Sequence, residues 1–310
     1  MKRKALIIGS TAVDIIIEID RLPKTGDDIN TKSKVLNVGG CAYNVASMLS
    51  YLSKDFDLIS PVGSGYFGDF VNKTLALNGF SAPLARVEAA NGCCYCFVEK
   101  NGERSFVCHR GAEYVFKDEF FESVDPSEYE VIYFCGLDVS GEKDDPIIKF
   151  LERAGKAQRR TDKVFEKGCE LKRPAIFFAP GPQINSIPKA FLRKIFNLNP
   201  IIHLSKSEYA VLIDMFGSGE DILEMTKAPL IITQGEDGAT IIMQVNDGIK
   251  KTHIPAQPVR RVVDTIGAGD AHAGAVIASM LDGKSLSDAV AFANSMSAKV
   301  IETKGSTLLR

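Results

Sequence analysis

Along this chain, short unbroken apolar runs alternate with longer stretches in which apolar residues return every three or four positions. The runs lie at 5–8, 58–62, 131–134, 175–179, 201–204 and 230–233. A strand with one wet face would alternate apolar and polar residues, so unbroken runs predict strands buried on both faces. Periodic stretches at 42–52, 69–78, 145–158, 207–215 and 271–281 predict helices between them. Strand and helix alternating this often predict an α/β fold, a three-layer α/β/α sandwich around a mostly parallel sheet.

Two stretches break the rhythm. Residues 14–38 and 92–115 look like antiparallel ribbons, the second turning at Lys100-Asn101-Gly102. Ribbons set into an α/β domain suit a small β lid. No Pro-, Gly- or Ser-rich linker, internal repeat or low-complexity segment divides the chain. The expectation is one domain over 1–310, with lid ribbons inserted at about 14–38 and 92–115.

Composition narrows the class. Of 310 residues, 45% are apolar and 25% charged, an ordinary globular mix that excludes disorder, collagen and coiled coil. Lys plus Arg number 37 and Asp plus Glu 39, a net charge of −2, which argues against a nucleic-acid binder with a broad basic face. No apolar run approaches the length of a membrane span. The basic start Met1-Lys2-Arg3-Lys4 leads into a short run that ends at Gly9-Ser10, a first strand rather than a signal peptide. The 7 cysteines, an odd number, suggest a reducing cytoplasm. Cys93 and Cys96 have CxxC spacing, but residues three apart on a strand face opposite sides, which predicts structural thiols. His109, His203, His253 and His272 show no paired ligand spacing, so no histidine metal site is expected. The charged stretch 149–173 reads as an exposed helix followed by a surface loop.

Two glycine-rich runs compete for the chemistry. Gly63-Ser64-Gly65-Tyr66-Phe67-Gly68 matches GxGxxG, follows a strand and precedes a helix, with the acidic Glu88 beyond, as in a dinucleotide-binding turn. Pro61 inside that strand, and an earlier strand before it, count against the match. The other run is Asp264-Thr265-Ile266-Gly267-Ala268-Gly269-Asp270. Gly267, Ala268 and Gly269 leave backbone N–H groups bare at a helix N-terminus, where the dipole is positive. A phosphoryl group can approach such an anion hole closely. Asp270 sits in the first helical turn beside it. A carboxylate there repels phosphate unless it takes up a proton, which suits a general base that deprotonates an attacking hydroxyl.

At these residues the chain resembles the ribokinase-like carbohydrate kinases, the PfkB family, over essentially its whole length. The run 264–277 fits that family's C-terminal signature. Gly39-Gly40-Cys41-Ala42-Tyr43-Asn44-Val45-Ala46, then Ser53 and Gly63, fits the N-terminal one and is similar to little-characterised bacterial sugar kinases. The resemblance implies a ribokinase-like fold, ATP as donor and Mg²⁺ as metal. It implies Asp270 as catalytic base and Gly267, Ala268 and Gly269 as the hole for the transferring γ-phosphate. Asp14, Gly39, Gly40 and Asn44 would contact the sugar. Ser205 and Glu208 match an Asn-x-x-Glu motif in which Glu208 helps place Mg²⁺, through water, and Ser205 stands for the usual Asn. Thr233, Gly235 and Gly238 match a turn that holds nucleotide phosphate and ribose, and Asn294 falls near the adenine. Asp264 and the Ile266 carbonyl match a loop for a monovalent cation, K⁺. A homodimer through the lid is implied as well. The resemblance also recasts Gly63–Gly68 as a strand-to-helix turn beneath the substrate.

The departures concern the substrate. Ribokinase has Asn where Ala12 stands and Lys where Cys41 stands, and losing both counts against ribose. Arg110, at the end of the second ribbon, resembles an arginine with which ketodeoxygluconate kinases meet a carboxylate. No cation lies within 39–44 to meet a phosphosugar. His272 stands where bulky apolar residues are common in the family. The reading is an ATP-dependent phosphotransferase acting on a hydroxyl of a small sugar or sugar-like substrate, in the cytoplasm. Nucleosides and sugar acids are alternatives within the family. An NAD-linked oxidoreductase using Gly63–Gly68, or a catalytically silent sugar-binding regulator, are alternatives outside it.

Overall fold

The computed structural model describes residues 3–80, 86–157, 159–166, 169–246 and 248–309, with backbone alone at 159–166 and 169–173. Its centre is an eight-stranded sheet. The strands run in the order Gly248–Ile254, Ala239–Val245, Leu230–Thr233, Ile201–Ser205, Ala175–Ala179, Val131–Cys135, Lys4–Ile8 and Asp55–Ile59. All neighbours from Leu230–Thr233 to Asp55–Ile59 pair in parallel. Ala239–Val245 and Gly248–Ile254 add an antiparallel edge. That edge strand is largely wet, so the criterion of unbroken apolar runs passes over it.

Successive side chains of the parallel strands feed two cores. Tyr133 and Phe177 point into one, Phe134 and Phe178 into the other, and all four are fully buried. Helices Cys41–Tyr51, Gly65–Leu77, Ala268–Leu281 and Leu286–Ile301 cover the first face. Helices Pro146–Ala157, Lys189–Phe196, Lys206–Phe216 and Gly219–Thr226 cover the second. The three-layer α/β/α architecture is therefore the observed one. No helix among the described residues is long and apolar enough to cross a membrane.

The expected strand at 58–62 divides. The central strand ends at Ile59, and Val62–Ser64 pairs instead with Arg86–Ala90 in a separate two-stranded sheet. Pro61 has no N–H for a central ladder, so pairing stops there. The next helix starts at Gly65 rather than at residue 69. A Cβ on Gly68 would lie 2.7 Å from the Gly63 carbonyl carbon, and one on Gly63 would lie 2.6 Å from Ala112 Cβ. These glycines admit the chain's own atoms where a dinucleotide would need space, which removes the oxidoreductase alternative.

The two ribbons become one four-stranded sheet. Ala12–Glu18 pairs with Ser33–Gly39, and Cys93–Val98 with Arg104–His109, both antiparallel. A parallel pairing of Ala12–Glu18 with Cys93–Val98 joins them. Cys93 and Cys96 are both buried, and no group of three metal-ligating side chains occurs among the described residues. Beyond Ala157, an antiparallel pair of strands, Arg159–Glu166 and Cys169–Arg173, replaces the expected surface loop. The charged sequences of these strands offered no apolar period to reveal them. Gln158, the expected helix end, lies outside the described residues, as do the side chains of 158–173 in the charged stretch.

Candidate active site

The small-residue run becomes the start of helix Ala268–Leu281, with Gly267 as N-cap at φ 74. A Cβ on Gly267 would sit 2.8 Å from Ser306 Cβ and closer still to the Ser306 carbonyl, so only glycine fits this left-handed position. A Cβ on Gly269 would meet nothing within 4 Å, because this residue faces an open cleft. First-turn N–H groups have no acceptor inside their own helix. The Ala268 N–H reaches the Thr265 carbonyl only at 3.4 Å. Bare donors and the positive helix end thus point toward the cleft.

Packing brings a second helix against the same turn. Gly274, one turn beyond Asp270, leaves so little room that a Cβ there would lie 2.8 Å from Met48 Cβ and 3.0 Å from the Val45 carbonyl. Residues four apart share a helix face. Asn44, one turn before Met48, therefore meets Asp270, one turn before Gly274. The Asn44 Nδ2 donates to Asp270 Oδ2 at 2.8 Å. Ser306 Oγ donates to Asn44 Oδ1 at 2.9 Å and so fixes which end of the amide faces the carboxylate. One residue, Ser306, thereby supports both the N-cap and the partner of Asp270.

Two further carboxylates, Asp14 and Asp138, converge with Asp270 beside Asn44. Burial pushes the half-buried Asp270 up to about 6, opposed by the hydrogen bonds from Asn44 and Cys41 and helped by the charge of Glu208. Asp14 is pushed up to about 6 by burial and then by the charge of Asp270. Asp138 is raised further, to about 7, again chiefly by burial. Its Oδ1 accepts from the Ser10 N–H at 3.0 Å, while Oδ2 has no partner among the described residues. The glycine pair 39–40 makes room for this cluster. A Cβ on Gly39 would lie 2.9 Å from Asp14 Cγ, and one on Gly40 would lie 2.5 Å from the Ser10 carbonyl. Arg110 is exposed at the rim. It donates to Gln183 Oε1 at 2.8 Å, lies over the Tyr114 ring at 4.7 Å and lines a recess of about 220 Å³.

On the other side of Gly269 lies a cleft of about 640 Å³ lined by Thr233, Gly235, Gly238, His272 and Asn294 among others. Ser205 and Glu208 form a reciprocal cap of helix Lys206–Phe216. Ser205 Oγ accepts from the Glu208 N–H at 3.2 Å, and Glu208 Oε2 accepts from the Ser205 N–H at 2.8 Å. Ser205 is thus the helix cap that holds Glu208 in place. Asn294 is only 7% exposed, and its polar atoms are used inside the protein. Its Nδ2 donates to the Ile254 and Pro255 carbonyls at 3.2 and 2.9 Å. Both amide hydrogens are then occupied, so Oδ1 accepts from His272 Nε2–H at 3.1 Å. His272 Nδ1 is left bare and accepts from His203 Nε2–H at 2.9 Å. Burial holds both imidazoles neutral, with His272 pushed down to about 4.

The remaining expected pair, Asp264 and Ile266, lies in the loop leading to Gly267. Asp264 is buried and bonded to Arg104 of the lid. Sequence reasoning missed Asp138, Ser306, His203 and Arg104. Each stands outside any motif, and its partner is far along the chain.

Known proteins share this fold. A solved ribokinase from Giardia lamblia superposes with a TM-score of 0.81 at 18% identity, over 99% of this chain and 95% of that one. A Burkholderia thailandensis nucleoside kinase solved in complex with inosine superposes with a TM-score of 0.76 at 23% identity, over 98% and 93%. In sequence, an uncharacterized sugar kinase of Escherichia coli, YegV, is 29% identical over 98% of this chain and 90% of its own length. The pattern of the pfkB family carbohydrate kinases matches residues 2–309. Matched over nearly its whole length, this chain belongs to the pfkB family of carbohydrate kinases, ATP-dependent phosphotransferases.

Proposed function

We propose that this kinase moves the γ-phosphate of ATP to a hydroxyl of a small uncharged sugar or nucleoside, with Asp270 as the base. The observation that carries the reading is the contact of Asn44 Nδ2 with Asp270 Oδ2 at 2.8 Å, beside the bare N–H groups of the helix start. Held near a pKa of about 6, Asp270 is ionised at neutral pH yet basic enough to take a hydroxyl proton as the oxygen attacks. The backbone donors of Gly267, Ala268 and Gly269 steady the negative charge of the transferring group. ATP lies along Thr233, Gly235 and Gly238 with its base toward Asn294, which contacts it through shape, its polar atoms being engaged elsewhere. Glu208 holds Mg²⁺ through water. One carboxylate with phosphates and waters is a set this ion accepts, and Glu208 Oε1 has no partner among the described residues. When bound, the metal supplies positive charge to the phosphates.

Asp14, Asn44 and Asp138 serve the acceptor. Carboxylates with unfilled lone pairs receive hydrogen bonds from hydroxyls and repel anions, which favours a neutral, hydroxyl-rich substrate. A second reading, a sugar acid, has one observation in its favour: the Arg110 guanidinium in its recess beside Gln183. A coupled assay across sugars, sugar acids and nucleosides, run with the wild type and Asp270→Asn, tests both. The first reading requires turnover on a neutral acceptor that the variant loses. Turnover confined to carboxylated acceptors would favour the second.

We further propose a homodimer through the lid, in the cytoplasm. Val35, Tyr95, Phe106 and Val107 stand exposed on the lid strands. The described cysteines are free thiols. Light scattering on the wild type and on Phe106→Asp tests the dimer.

A further inference from the structure

The loop before the anion hole was expected to hold a monovalent cation through Asp264 and the Ile266 carbonyl. The residues present do not fit such an ion. The Asp264 side chain is 7% exposed, and its carboxylate is already engaged. Oδ1 accepts from Arg104 Nη1 at 2.6 Å and from the Ile266 N–H at 2.8 Å, and Oδ2 accepts from the Gly305 N–H at 3.2 Å. A carboxylate offers about four acceptor directions, so about one remains. That one lies beside a guanidinium which is itself only 18% exposed. A second cation there would face unscreened like charge, with about one direction of the carboxylate left to replace its water.

Arg104 belongs to the lid strand Arg104–His109 and stands 160 residues from Asp264 in sequence. The same corner carries a second tie. Lys304, beside Gly305, pairs with Glu18 of the lid strand Ala12–Glu18 at 3.3 Å. The next residue, Ser306, packs against Gly267 and bonds Asn44. Lid, cation loop and anion hole are thus joined through residues 304–306.

We propose that Arg104 is this kinase's built-in monovalent cation. Its guanidinium supplies the positive charge that orders the loop 264–267, and the lid delivers it. An arginine stays charged at all working pH values and cannot be exchanged for another ion. The enzyme therefore works without K⁺, and its anion hole is complete only with the lid seated. The ion-binding part of this inference stands apart from the kinase reading, while its effect on turnover rests on that reading.

The test compares wild type, Arg104→Gln and Arg104→Lys in KCl, NaCl and N-methylglucamine chloride at equal ionic strength, by thermal unfolding and by turnover. The wild type is expected to melt at the same temperature in all three salts. Arg104→Gln is expected to melt about 5 °C lower in NaCl, as befits an orphaned buried carboxylate, with part of the loss restored by KCl alone. Arg104→Lys, which keeps a charge and guards against a variant that fails to fold, is expected to show no preference for K⁺. Turnover of Arg104→Gln in NaCl should fall about tenfold and recover in KCl. A K⁺-specific rise in the melting temperature of the wild type overturns the proposal. So does an Arg104→Gln protein that melts and turns over like the wild type in NaCl. Should no acceptor be phosphorylated by the wild type, the kinase reading fails, while the melting comparison still decides the ion question.

Discussion

The two ends of the active site meet at the start of helix Ala268–Leu281 and solve opposite electrostatic problems. At the acceptor end, Asp138 is buried, Asp14 and Asp270 are half-buried, and all three are raised above the usual carboxylate range. At the nucleotide end, the floor is made of neutral groups, His272 and Asn294 with His203 behind them, whose hydrogen bonds are closed among themselves and to backbone carbonyls. One end offers acceptors for hydroxyls. The other offers backbone donors for phosphate above a floor that carries no charge. The sign of the site reverses between Gly269 and Asp270, where the proposed transfer of the phosphoryl group takes place. The contrast also explains how a chain with a net charge of −2 can hold a polyanion: local N–H groups and a helix terminus replace a basic patch.

The contrast is broken most severely by Asp270→Asn. Turnover is expected to fall at least about a hundredfold while ATP affinity, by calorimetry, stays within about twofold. Turnover close to the wild type's would remove Asp270 from the chemistry. Gly267→Ala attacks the boundary from the donor side. A Cβ forced against Ser306 in a left-handed conformation should cost about 1–3 kcal/mol of stability and raise KM for ATP more than KM for the acceptor. Equal changes in both constants would argue that the loop merely unfolds.

Asp138→Asn separates stability from function. The folded carboxyl sits at about 7 against an ordinary value of 3.8, so the folded state binds more protons than the unfolded one between those values. Ionised Asp138 therefore destabilises the wild type; the penalty is full above about 7, shrinks as pH falls below it and is gone only below about 3.8. The amide should raise stability at pH 8 by on the order of 2 kcal/mol, with a smaller gain at pH 5, while acceptor binding weakens. Thermal unfolding at both pH values and acceptor KM would show it. A smaller effect tests the Asn44 bond. Asp270 works ionised, so kcat/KM should fall as pH drops through about 6. Asn44→Ala removes a donor that holds this pKa down, so the acid limb should move to higher pH. A limb that stays in place would sever Asn44 from Asp270. The mildest change is His272→Phe, which should shift KM for ATP by about threefold or less and leave the acid limb untouched.

What the sequence made legible was local. The run 264–270 encodes its function in backbone geometry, and small residues announce it directly. Ser205 could also have been recognised locally, since Ser-x-x-Glu is a capping box; it was read instead as a lost Asn. The parallel strands were legible because burial on both faces leaves unbroken apolar runs. Pro61 was visible, but its effect on the strand depended on Arg86–Ala90 being there to pair with the remainder. The rest depends on topology. Ser10 and Asp138 are 128 residues apart, Arg104 and Asp264 160, and Ser306 and Asn44 262. No pattern along the chain connects such residues, and each looks like an unremarkable surface or loop position until the sheet order brings it to the site. Asn294 shows the converse. It lines the cleft, but its amide is occupied by carbonyls of a strand end that sequence could not place beside it.

The chained imidazoles of His203 and His272 carry a practical consequence. Their ring protons are shielded from water and fixed on Nε2 by the direction of the hydrogen bonds, so they should exchange slowly enough to give resolved resonances far downfield. His272 lines the nucleotide cleft, and His203 lies one bond behind it. A nucleotide settling in the cleft would perturb the first resonance strongly and the second weakly. The protein thus holds its own spectroscopic gauge of occupancy, readable without a label and before any acceptor has been identified.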